Sequence, residues 1–105
     1  MGRAPSHHGL LILSALAEED RHGYAIKKEV ERRMEGELRL GSTSLYRLLS
    51  QLLDAGLITE RPATEDDDVR RRYYRITAAG RRELAAELSR LQRVLTAARA
   101  GRRAT

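Results

Sequence analysis

The stretch Ser42-Thr43-Ser44-Leu45-Tyr46-Arg47-Leu48-Leu49-Ser50-Gln51-Leu52-Leu53-Asp54-Ala55-Gly56-Leu57-Ile58-Thr59-Glu60-Arg61 holds the change of period on which the fold turns. Leu45, Leu48, Leu49, Leu52 and Leu53 recur at i, i+3, i+4, i+7 and i+8, the spacing of one face of an α-helix. Ser42 is a good N-cap, and Gly56 supplies the left-handed residue that ends a helix. The opposite face carries Thr43, Tyr46, Arg47, Ser50, Gln51 and Asp54, with Ser44 beside them. Hydroxyls, an amide, a phenol and a guanidinium can hydrogen-bond base edges and phosphates. A merely solvated face is more often rich in Glu and Lys. Past Gly56 the period becomes that of a strand, Leu57 to Arg61, which Pro62 ends because it cannot donate to a ladder.

Downstream, residues 63–68 form a loop with an acidic run, Glu65-Asp66-Asp67-Asp68. Tyr73-Tyr74-Arg75-Ile76-Thr77 is rich in β-formers, with Tyr74 and Ile76 on one face and Tyr73 and Arg75 on the other. The two strands make an antiparallel hairpin. Thr77 then caps a long helix in which Leu84, Leu88, Leu91, Leu95 and Ala98 are spaced 4, 3, 4 and 3, an a/d seam of about two heptads. Such a stripe could pack on the domain's own core. Because three helices and a hairpin already make one, Leu84, Leu88, Leu91 and Leu95 are assigned to a dimerisation seam. From Arg99 onward a fraying basic tail is expected.

Upstream, Leu10 to Ala17 reads as a mostly buried helix with Ser6 as its N-cap. Residues 18–23 are polar, end in Gly and read as a turn. Ile26, Val30 and Met34 then recur every four residues in an amphipathic helix that stops near Gly36. Lys27 and Lys28, between them, are counted with the DNA-contacting groups. Three helices followed by a hairpin is the order of a winged helix-turn-helix, an α+β fold that is mainly α. Residues 1–77 would form the DNA-binding domain, and residues 78–105 the dimerisation helix and basic tail.

A chain of 105 residues is about one small domain. It buries only roughly 60–70% of its unfolded surface, so association would help it. Without cysteine there is no disulfide framework, thiolate metal site or cysteine nucleophile. The longest apolar stretch falls short of the ~18 residues of a membrane span, and no signal-peptide pattern precedes it, so a cytoplasmic protein is expected. Residues 1–69 hold 9 Lys/Arg and 13 Asp/Glu, a net of −4, whereas residues 70–105 hold 11 Arg and 2 Glu, a net of +9. Such asymmetry points to a polyanionic partner or to a solvated basic helix. The acidic run would repel phosphate, which leaves Arg70, Arg71 and Arg72 as the wing's phosphate ligands.

His22-Gly23-Tyr24-Ala25-Ile26, Ser44-Leu45-Tyr46, Gly56-Leu57-Ile58 and the run from Arg71 to Gly80 stand in one order along the chain. In that order they resemble the successive motifs of PadR-type regulators, over about Leu10 to Leu84. The resemblance implies a homodimer that binds palindromic operator DNA, usually as a repressor, in the bacterial cytoplasm. A single C-terminal helix is similar to the short subclass. The chain departs from the family where Ser42-Thr43 stand in place of a common Pro-Gly, which leaves the base preference at that end open.

Other chemistry finds little support in the residues. His7 and His8 diverge on any regular element and His22 lies in a turn, so no metal site is expected. The acidic run lacks the spacing and Gly of an EF-hand loop. No phosphate-cradling glycine motif, nucleophile elbow or paired catalytic constellation is present, so no enzyme and no cofactor are expected. Tyr46 is assigned to DNA, Tyr24 and Tyr74 to the core. A small-molecule effector between the last helices is left open, though the chain has no Trp or Phe to stack one. A winged-helix protein-interaction module using the leucine seam is the alternative. A single-strand binder is disfavoured for want of exposed stacking aromatics.

Overall fold

In a computed structural model, which describes residues 6–104, the chain starts a helix where the Ser6 side chain accepts the Gly9 amide at 3.1 Å. This helix, α1 (His7–Glu18), puts Ile12, Leu13 and Leu16 fully out of water, against α2, α3, β3 and the start of α4. Helix α2 (Gly23–Arg33) buries Ile26 and Val30. Its charged side is tied back to α1, since Arg33 donates to Glu18 at 2.6 Å, Glu29 at 2.7 Å and Ser14 at 2.9 Å. The helix ends where Glu35 (φ 53) and Gly36 (φ 79) turn left-handed. Helix α3 (Ser42–Asp54) buries Leu45, Leu48, Leu49 and Leu52, and Gly56 (φ 75) stops it. Its N-cap falls one residue earlier than expected, at Gly41, and no side chain caps it. The expected Ser42 is already helical.

Strands β2 (Ile58–Arg61) and β3 (Tyr73–Ile76) pair antiparallel, with Ile58 opposite Ile76 and Arg61 opposite Tyr73. A third strand lies where a turn was expected: β1 (Arg21–His22) pairs with the other edge of β3, giving the order β1-β3-β2. Two residues are too few to show a period, and the partner strand lies some fifty positions on. Tyr73, on the face opposite Tyr74 and Ile76, is buried as they are. The Arg61 guanidinium lies 4.8 Å over its ring and His22 meets it edge-on at 5.5 Å. Arg61 is itself held by Asp20 at 2.7 Å and Asp67 at 2.6 Å.

Thr77 joins the wing to the last helix, α4 (Ala78–Ala104): its hydroxyl donates to the Gly56 carbonyl at 2.7 Å and accepts the Gly80 amide at 3.0 Å. Any Cβ on Gly80 would run into the Leu57 carbonyl, so only glycine lets α4 start this close to the wing. Leu84 is 8% exposed and belongs to the core of its own chain. Further along, Leu88, Leu91 and Leu95 stand 50%, 39% and 43% exposed. The backbone expected to fray from Arg99 is helical to Ala104, in keeping with the helix propensity of Ala and Arg. At 1.5 Å per residue α4 is about 40 Å long. It stretches the molecule to 57 × 32 × 24 Å. No helix among the described residues is long and apolar enough to cross a membrane. Three helices, a small antiparallel sheet and a trailing helix make this a mainly helical winged-helix fold.

Candidate nucleic-acid interface

Once α3 has turned its leucines inward, what it shows to water is polar. Thr43, Tyr46, Arg47, Ser50 and Gln51 are exposed and Ser44 is half-buried. Arg47 takes part in no ion pair among the described residues. Tyr46 lies across the first turn of α2, because Gly23 has no side chain: its hydroxyl sits 3.1 Å from where a Cβ would be.

That first turn is built around His22. Its Nδ1 accepts the Ala25 amide at 3.1 Å, a side-chain N-cap, and lies 3.2 Å from an Arg71 nitrogen. A ring nitrogen used as an acceptor carries no proton, so this arrangement needs neutral His22. Burial, and then the positive charge of Arg71, hold its pKa below the ordinary histidine value, against the weaker pull of Asp68 and Asp67.

Between the start of α2, Tyr46 of α3, Tyr74 of β3 and the wing arginines opens a cleft of about 330 Å³. Arg70, Arg71 and Arg72 all line it, and each also faces a carboxylate. Arg70 donates to Asp68 at 3.0 Å from its amide and 3.1 Å from its side chain, Arg71 lies 3.5 Å from Asp68, and Arg72 lies 3.4 Å from Glu60. The bonds from Arg70, that of its side chain foremost, and the nearby charge of Arg71 draw the Asp68 carboxyl down to about 2. The acidic loop thus reaches the arginines it was expected only to adjoin.

The two lysines of α2 differ. Lys27 is tied to Glu31 at 3.2 Å, and Glu31 in turn accepts the Leu40 amide at 3.0 Å, pinning the loop before α3. Lys28 is exposed, 5.4 Å over the Tyr24 ring. Tyr24, expected in the core, is 52% exposed, with Arg71 on its ring at 5.8 Å. At the first turn of α2 it precedes Ile26, which points inward, by two positions, and so faces away. Residue reasoning thus missed Tyr24 and His22 as members of this surface. A histidine before Gly-Tyr was the available signal, since His22 caps the helix that Gly23 opens. Tyr74 sits in the core as expected, 3% exposed, yet it lines the cleft.

The transcriptional regulator PadR-like family matches residues 12–86 of the chain. A transcriptional regulator from Clostridium thermocellum superposes with a TM-score of 0.75 at 26% identity, over 87% of this chain and 85% of that one. A PadR family transcription regulator from Clostridium difficile R20291 gives 0.75 at 26% identity, over 88% and 94%. Bacillus subtilis PadR, solved in complex with operator DNA, gives 0.65 at 25% identity, over 76% of this chain and 45% of that one. The family is one of transcription regulators and not of enzymes. The match spans the polar face of α3, the wing and the first turns of α4, and the chain belongs to the PadR-like family of transcriptional regulators.

Proposed function

We propose that this protein is a homodimeric, sequence-specific regulator that binds double-stranded operator DNA in the cytoplasm and acts as a repressor. The observation that carries the reading is α3. Every buried residue of this helix is a leucine, and its exposed face is uncharged but for Arg47 and Asp54. A helix that enters the major groove presents its N-terminal half to the bases. In α3 that half holds Thr43, Ser44, Tyr46 and Arg47, with Ser50 and Gln51 one turn on. Arg47 has the bidentate fork that recognises guanine, worth roughly 1–3 kcal/mol of discrimination. The wing arginines and Lys28 would supply phosphate contacts, and the Bacillus subtilis relative was solved on operator DNA.

Dimerisation is read from the far half of α4. Leu88, Leu91 and Leu95 fall on one face and stay 39–50% exposed among the described residues. Two copies joined there would read half-sites about one helical turn, ~34 Å, apart. The test titrates the protein against DNA from upstream of its own gene and against random DNA, at two salt concentrations. Arg47→Ala is expected to lose more affinity for the operator than for random DNA, and to relax preference at one symmetric pair of positions. Equal losses on both would reduce Arg47 to a phosphate contact. A wild type that binds neither DNA overturns the reading.

A further inference from the structure

At His22 the first turn of α2, the sheet and the wing meet. Its backbone is held on β1 opposite Tyr73 of β3, and its ring stands edge-on to the Tyr73 ring at 5.5 Å. Its Nδ1 faces two donors at once, the Ala25 amide at 3.1 Å and an Arg71 guanidinium nitrogen at 3.2 Å. Neither donor can accept a hydrogen bond, so Nδ1 offers its lone pair to both and the ring proton sits on Nε2. The Arg71 contact spans 49 positions of sequence. Arg71 is itself fixed within the wing: its amide donates to the Asp68 carbonyl at 3.0 Å, and its side chain lies 3.5 Å from the Asp68 carboxylate. The Tyr73 hydroxyl accepts the Asp68 amide at 2.9 Å. On the helix side, the first turn of α2 seats Tyr46 of α3, whose hydroxyl rests on Gly23.

A proton on Nδ1 would end both contacts. It turns the acceptor into a donor facing two donors, removes the side-chain cap of α2 and sets an imidazolium 3.2 Å from a guanidinium. The charged groups that act on His22 are Arg71, Asp68 and Asp67 of the wing. Arg70, Arg72, Tyr24, Tyr46 and Tyr74 share its cleft, and Arg61 lies on the Tyr73 ring. Bonds from Arg61 and Arg70 hold Asp67 and Asp68 at about 2, so both carboxylates stay charged throughout the histidine range. Guanidinium and phenol groups ordinarily keep their protons at neutral pH. Histidine is the side chain that ordinarily changes charge between about pH 5 and 8, and so the group here that can respond. Burial, then Arg71, lower its pKa, and the unfolded chain therefore takes the proton before the folded one. The stability that His22 contributes is whole above the ordinary histidine value and is lost as pH falls through the lowered one.

We propose that His22 is a positioning residue that works as a proton-sensitive latch between α2 and the wing. Neutral, it holds the Ala25 amide and Arg71 on one nitrogen and keeps the seat of Tyr46 and the wing in one arrangement. Protonated, it lets both go. The consequence for DNA rests on the regulator reading above. Operator recognition needs α3 and the wing in fixed register and weakens in mild acid. Random DNA is held by charge and gains a cation.

The free protein is followed by NMR between about pH 8 and about pH 5. His22 is expected to titrate below the ordinary histidine value, with the Ala25 amide and the Arg71 side chain moving at the same midpoint. Arg71→Ala should raise that midpoint. A His22 that titrates at the ordinary value, or an Ala25 amide that does not move with it, overturns the latch. A second arm measures the ratio of operator to random affinity over the same range, for the wild type and for His22→Asn, each compared with itself at neutral pH. Asn can cap a helix and takes up no proton. The wild-type ratio is expected to fall about fivefold, the scale of one lost helix cap. In His22→Asn it should stay level, although His7 and His8 remain. A wild-type ratio independent of pH, or an equal fall in His22→Asn, overturns the proposal and leaves the regulator reading standing. Should His22→Asn not fold, the wild-type ratio must change at the midpoint that NMR gives for His22, and a different midpoint overturns the proposal. A wild type that binds neither DNA ends the regulator reading, and the free protein then decides the latch alone.

Discussion

Helices α3 and α4 are both leucine-striped, and the chain treats the two stripes oppositely. In α3, Leu45, Leu48, Leu49 and Leu52 are all buried. In α4 only Leu84 is, while Leu88, Leu91 and Leu95 keep two-fifths to half of their surface in water. Position in the fold makes the difference. Residues 42–54 run between the first two helices and the wing, so the apolar side of α3 meets α1, α2 and β2 within the chain. Helix α4 touches α1 and β3 through its first turns and then projects past the body. An apolar stripe satisfied at home leaves a polar face free for a hydrated ligand such as DNA. An unsatisfied one calls for an apolar partner. A heptad alone does not separate these cases; what the chain has left to pack against it does.

The comparison breaks most visibly if a stripe leucine of α3 proves dispensable. Leu49→Ala removes a side chain 1% exposed and should cost roughly 2–5 kcal/mol, since the site cannot fully collapse. Thermal unfolding should show the loss at every protein concentration. A midpoint within two or three degrees of wild type would mean that α3 is loosely seated. The stripe of α4 should behave differently. Wild type should sediment as a dimer at micromolar concentration, with a melting point that rises with concentration, as for any associating fold. Leu88→Asp with Leu91→Asp should give a less stable monomer without that dependence. A well-folded wild-type monomer would end the distinction between the stripes. The smallest effect is expected on the polar face of α3. Ser50→Ala with Gln51→Ala should leave stability within about 0.5 kcal/mol of wild type, as surface changes do, while altering operator preference. A melting loss as large as that of Leu49→Ala would show these groups to be structural.

The parts legible in the sequence are those whose signal is local. The α3 period, the switch to strand after Gly56, the stop at Pro62 and the Thr77 cap each depend on neighbours within a turn or two. The α3 cap at Gly41, the helix past Arg99 and the outward Tyr24 are local misreadings, but those of the sheet and the last helix's stripe involve distant partners. Strand β1 exists because β3 offers it an edge, and Tyr73 is buried because Arg61 and His22 come over it from two other elements. Leu84 differs from Leu88 only in lying over α1 and the wing. Of the candidate interface, the face of α3 could be read from its spacing and the wing arginines from their clustering. The cleft between them could not, because α2, α3 and β3 meet there from positions about 20 to 50 residues apart.

Gly80 gives the last helix its direction. With the Leu57 carbonyl where a methyl group would have to go, the joint between body and arm has no slack, and Thr77 clamps it a second time by bonding to Gly56 and to Gly80. Gly56 and Leu57 are also where α3 gives way to the wing. The helix proposed to read DNA and the helix proposed to join two copies are therefore anchored to the same few backbone atoms. A pivot of the arm at its root would swing the reading head with it, and over about 40 Å a few degrees at the root become ångströms at the far end. Groove spacing in a dimer would then be set like the span of a pair of dividers, at the hinge and not at the tips.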